Sequence, residues 1–83
     1  MMTNLEKYHK ILIINLGVTE EDFNDEVLVY NRYKKWDSVS HVGMVADLEE
    51  KFNIMFETLD ITSFNKYSKG IEILEKLGVD MSR

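Results

Sequence analysis

Cysteine is missing altogether from the 83 residues. A disulfide framework, a cysteine-bound metal and a thiol nucleophile are therefore excluded, which fits a reducing compartment. Proline is also missing, and there is no internal repeat or low-complexity segment to mark a linker. The longest apolar run is the four residues Ile11 to Ile14, far short of the roughly 20 needed to span a bilayer. The first ten residues, MMTNLEKYHK, lack the charged-then-apolar layout of a signal peptide. A cytoplasmic protein with no membrane attachment is the expectation. Positive charge is scarce, with 10 Lys and Arg against 15 Asp and Glu and a net charge of −5. Such a surface repels nucleic acid and attracts basic protein patches. Arg32, Lys34 and Lys35 make a counter-patch too small for a phosphate-backbone footprint. His9 and His41 are the only histidines, so no zinc or other metal site is expected.

What is present describes a globular chain, 45% hydrophobic and 30% charged. One domain, residues 1–83, is expected, burying only roughly 60–65% of the surface its unfolded form exposes. The stretch TNLE at 3–6 has the form of a capping box. Leu5, Tyr8, Ile11, Leu12 and Leu16 follow at helical spacing, and Gly17 can end the helix in a left-handed conformation. Residues 18–36 have no clear period and predict a long loop with an apolar patch at Val27 to Tyr30. A second helix is expected from Asp37-Ser38 to about Phe52, with Asn53 as its stop. Its core arc holds His41, Met44, Val45, Leu48 and Phe52, and Val39, Gly43, Ala46 and Glu50 form another stripe. A short helix at Thr58 to Ser63 is expected next. A last helix follows, with Asn65 as N-cap, Tyr67, Gly70, Ile71, Leu74 and Leu77 inside, a Glu72–Lys76 pair outside and Gly78 at its end. The fold class predicted is all-α: a four-helix bundle with a long first loop and a short third helix.

The segment KKWDSVSHVGM at 34–44 carries the candidate chemistry. Asp37 or Ser38 caps the second helix on the plainest reading, since both are common N-caps. A hydroxyl there is also exposed, and free amides and the positive dipole end favour an attached anion. A Ser38–His41 catalytic pair is three residues apart, but it lacks a nucleophile elbow, an oxyanion loop and a third member. No catalytic residue is assigned. Glu49 and Glu50 sit at the negative end of their helix, where acids are disfavoured. With Val39 and Ala46, and Asp47 at the margin, they form a candidate face for basic partner proteins. Alternatively, Asp47 pairs with Lys51 across one turn and the glutamates are solvated.

Taken together, INLGVTEEDF at 14–23, DSVSHVGMVADLEEKFNI at 37–54 and LDITSFNKYSKGIEIL at 59–74 resemble the acyl carrier proteins. The resemblance spans Leu5 to Leu77. It implies that Ser38, preceded by Asp37, carries a 4′-phosphopantetheine arm installed from coenzyme A by a phosphopantetheinyl transferase, usually with magnesium. It further implies a monomeric, non-catalytic carrier that presents thioesters to acyl- or aminoacyl-activating and transferring enzymes. Val39 stands where the family usually has leucine, KKW replaces the common Leu-Gly, and IMFETLD stands where Ile-Pro-Asp is common. These departures look more like carriers of dedicated biosynthetic pathways than of bulk fatty-acid synthesis. An aminoacyl, peptidyl or D-alanyl carrier is the nearest alternative, and an unmodified acidic helical adaptor the other. Phe52, Phe56, Phe64 and Tyr67, with Tyr30 and Trp36 from the loop, fill volume in few rotamers and resist insertion of a chain. The expected cargo is therefore short, polar or aminoacyl and stays outside, with Met44 and Met55 the places where room could open.

Overall fold

Thr3 starts the first helix. Its Oγ1 accepts the Glu6 N–H at 3.1 Å, while Glu6 Oε1 accepts the Thr3 N–H at 3.0 Å, so two donors that a helix start would leave orphaned are satisfied. The helix, α1, runs Asn4–Leu16 and ends on Gly17 at φ 67°, whose N–H reaches Ile13 O at 2.9 Å. Tyr8, Ile11, Leu12 and Leu16 are its buried face, and Ile13 and Ile14 point outward. The computed structural model describes residues 2–82. Among them are four α-helices and no strand, an all-α architecture.

The long connection is fastened to the rest of the chain. After a 3-10 turn at Glu20–Asp22, Val29 and Lys66 form an isolated antiparallel bridge. Tyr30 N–H donates to Asn65 O at 2.8 Å and Tyr67 N–H to Leu28 O at 3.1 Å. Leu28 and Trp36 are fully buried beneath it. A side chain of that size stabilises by roughly 1.5–3 kcal/mol on burial, whereas each doubling of loop length costs only about 0.6 kcal/mol.

Three further helices follow: α2 at Ser38–Phe52, α3 at Thr58–Ser63 and α4 at Tyr67–Lys76. Asn53 ends α2 in the left-handed region at φ 54°. Lys66, not the expected Asn65, is the N-cap of α4. Asn65 is occupied otherwise, its carbonyl by Tyr30 and its N–H by Ser63 O. The capping side chain comes from the loop: Asp25 accepts the Ser68 N–H at 2.8 Å and the Ser68 hydroxyl at 2.7 Å. The inner side of α4 is as expected: Gly70 and Leu74 are buried and Tyr67, Ile71 and Leu77 are half-buried against the core, with Ile73 joining the buried set. One other expectation is corrected on α4. Lys76 pairs with Asp60 Oδ1 at 2.6 Å rather than with Glu72, because Asp60 is buried at the start of α3 and needs a partner.

One apolar core joins all four helices and the loop. Close approach at two glycines helps to fill it. A Cβ on Gly70 would overlap Tyr8 Oη and lie 2.7 Å from Phe64 Cε1. Gly43, on the stripe with Val39, Ala46 and Glu50, faces α1, where Asn15 Oδ1 lies 2.9 Å from the site of a Cβ. The Cα radius of gyration, 11.5 Å, matches the roughly 12 Å of a compact chain this long.

Candidate functional site

Asp37 is the N-cap of α2, and this settles which of the two residues caps. Its Oδ1 accepts the N–H groups of Val39 at 3.1 Å and Ser40 at 3.0 Å. In return Ser40 Oγ accepts the Asp37 N–H at 3.0 Å and donates to Lys35 O at 2.7 Å. The Ser40 N–H is the main influence holding the Asp37 carboxyl below its usual range. None of these bonds uses the Ser38 hydroxyl, and Ser38 is exposed as the first residue of a 15-residue helix. The amides of Val39 and Ser40 are already taken by Asp37, so an anion on Ser38 would not draw on them. The remaining attraction is the dipole end of α2 and the exposed Lys34 and Lys35. With Asn15, Asp37, Val39, Ser40 and Gly43, these lysines line an open hollow beside Ser38.

His41 does not face Ser38. It is buried, its Nδ1 accepts the Trp36 Nε1–H at 3.0 Å, and its Nε2 bonds Ile61 O at 2.8 Å. Both ring nitrogens are thus committed inside the core. Among the described residues no three His, Asp or Glu side chains come together as a metal set. No helix there is long and apolar enough to cross a membrane.

The five residues expected on a partner face divide. Val39 is 80% exposed, and Ala46 and Glu50 are exposed below it on the same helix. Asp47 is half-buried and its Oδ2 accepts from Asn15 Nδ2 at 2.9 Å, bracing α1 rather than pairing with Lys51. Glu49 is also half-buried, and its Oε2 accepts the Phe56 N–H at 2.8 Å. Glu49 is therefore neither simply solvated nor free for a partner: it fixes the turn into α3. Sequence reasoning missed Val42, which is 67% exposed. The signal was its position three residues after Val39, outside the core arc. Leu59 on α3 and Met55 before it are likewise exposed, so Met55 is no part of the core.

Other acids are also engaged within the fold. Asp22 accepts the Thr19 N–H at 3.1 Å, Asp25 caps α4, and Asp60 Oδ2 accepts the Glu57 N–H at 3.1 Å. Glu20, Glu21, Glu26 and Glu57 are exposed. No protein-family model matches the chain, and no curated protein matches its sequence.

Proposed function

We propose that the chain is a carrier of the acyl carrier type, bearing a 4′-phosphopantetheine arm on Ser38. The observation that carries this reading is the exposed hydroxyl at the first position of α2, left unused by the capping box that Asp37 and Ser40 form. The resemblance of 14–23, 37–54 and 59–74 to the acyl carriers adds to it, as does the four-helix, long-loop order. The residues around Ser38 fit such a group: the hydroxyl is open to solvent, and its neighbours Asp37, Val39 and Ser40 line an open hollow together with Lys34 and Lys35. When bound, the arm would supply a terminal thiol on which an acyl or aminoacyl group is held as a thioester.

The chain's own residues then have two tasks. Asp37 and Ser40 hold the α2 start rigid, so that Ser38 is presented at a fixed place to a transferase. Val39, Val42, Ala46 and Glu50 offer an apolar stripe with an acidic end to basic partner enzymes, and Asp47 and Glu49 keep that helix in position. Aromatic filling behind Ser38 favours a short, polar or aminoacyl cargo for a dedicated pathway over a fatty-acyl one. The test is incubation with a phosphopantetheinyl transferase, coenzyme A and magnesium. One added phosphopantetheinyl group, absent in Ser38→Ala, is expected. Modification that persists in Ser38→Ala removes the assignment, and a chain that no transferase modifies is better read as an acidic helical adaptor.

A further inference from the structure

The interior behind Ser38 is closed by a polar pair set among aromatic rings. Trp36 stands two residues before Ser38 and is 1% exposed. Its Nε1–H donates to His41 Nδ1 at 3.0 Å. A neutral ring whose Nδ1 accepts carries its proton on Nε2. That Nε2–H donates to Ile61 O on α3 at 2.8 Å. One line of hydrogen bonds thus runs from the loop, through the first turns of α2, into α3. Phe64 lies 5.2 Å from the Trp36 ring and 5.4 Å from His41, and Tyr30 lies 5.1 Å from His41.

An apolar pair could fill the same volume without any bond across to α3. Here the polar atoms are satisfied only while loop, α2 and α3 keep one arrangement, since a buried donor or acceptor left without its partner is costly. Parting α3 from α2 near Ser38 breaks the His41–Ile61 bond and strands a buried ring nitrogen and a carbonyl.

We propose that Trp36 and His41 are specificity-determining residues: by bonding the loop and α2 to α3 they bar a long acyl chain from the core and confine the cargo to short or polar groups held in solvent. This rests on the carrier reading of Ser38 and names the residues that enforce the short or polar cargo of that reading. Because the chain has no cysteine, Ser38→Cys gives a single thiol, and the question can be put without any transferase. The variant is alkylated with iodoacetamides bearing a pantetheine-length linker that ends in an acetyl or a dodecanoyl group. Equal melting temperatures for the two conjugates are expected, with unmoved methyl NMR signals of Leu48, Ile73 and Leu74. On the same background, Trp36→Leu with His41→Val should let the dodecanoyl conjugate melt several degrees above the acetyl one and shift those methyls. His41→Ala alone serves where the double variant does not fold. A length-dependent rise in the Ser38→Cys parent overturns the proposal, and so does length independence in the opened variants. Failure of transferases to modify native Ser38, with the conjugates behaving as expected, removes the carrier reading while leaving the closed interior in place.

Discussion

Gly70→Ala tests how full the interior is. The added Cβ overlaps Tyr8 Oη and comes within 2.7 Å of Phe64 Cε1. Neither ring has room to retreat, since Tyr8 is 0% and Phe64 1% exposed. Forcing extra volume into a close-packed core costs about 1–3 kcal/mol. Displacing Tyr8 also breaks its hydroxyl's bond to Tyr67 O, 2.7 Å long, at about 0.5–1.5 kcal/mol. Better helix propensity returns up to about 1 kcal/mol. The net loss is about 0.5–4.5 kcal/mol, and each kcal/mol lowers Tm by roughly 4–8 °C in a domain this size. Urea unfolding followed by far-UV circular dichroism reads it as a lower midpoint with an unchanged slope. Gly43→Ala is the comparison: its Cβ meets one side-chain end, Asn15 Oδ1 at 2.9 Å, whose displacement strains the Asn15 bonds to Ile11 O and Asp47 but moves no buried ring, so its loss should be smaller. A wild-type midpoint for Gly70→Ala, or a larger loss at Gly43, would refute the reasoning about how this core is filled.

Ser38→Ala should change stability by less than about 0.5 kcal/mol, because the cap is Asp37, whereas Asp37→Ala should lower Tm clearly; equal losses in a thermal melt would assign the cap wrongly. Glu50→Lys should slow transferase modification at low salt, with the deficit shrinking as salt rises, while Glu49→Gln, which keeps an acceptor for the Phe56 N–H, should leave the rate unchanged; a salt-independent deficit, or none, would remove Glu50 from the face. Burial lowers the folded-state pKa of His9, whose ring stacks on Phe23 with centroids 3.9 Å apart and whose Nε2 lies 2.6 Å from Tyr67 Oη. With the folded value below the unfolded one, the unfolded chain takes the proton first. The His9 contribution is therefore complete above the ordinary value of 6.5 and lost as pH falls below it, and His9→Phe should abolish that slope in melts across the range. Hydrogen bonds from Ser68 and Ser40, and that from Lys76, depress Asp25, Asp37 and Asp60 respectively, so a second loss should begin only as pH falls through 3.8 and below.

The helix limits were legible because their signals are local. Thr3 with Glu6, Gly17 and Asn53 each act within one turn, and the core arc of α2 is a matter of spacing. Side chains that act across the chain gave no such signal. Asp25 caps a helix 43 residues away, Glu49 holds an amide seven residues on, and Asp60 selects Lys76 over nearer charges. In the sequence nothing within a helical turn of any of the three marks its partner. The aromatic set shows the same limit. Its members were named from the sequence, but Tyr67 joins Tyr8, His9 and Phe23 at one end, while Trp36, Phe56 and Phe64 gather near His41. Periodicity placed His41 inside; only the three-dimensional arrangement shows that both of its nitrogens are bonded.

The central claim is that Ser38 is the attachment point of a pantetheinyl arm. Fragment-ion mass spectrometry of the chain after transferase treatment tests it most directly. The account predicts one phosphopantetheinyl mass increment, located on the peptide containing Ser38 and released from it as a pantetheine fragment, with Ser40 and Ser63 unmodified. An increment on another serine, or an unmodified chain with each of several unrelated transferases, would contradict it.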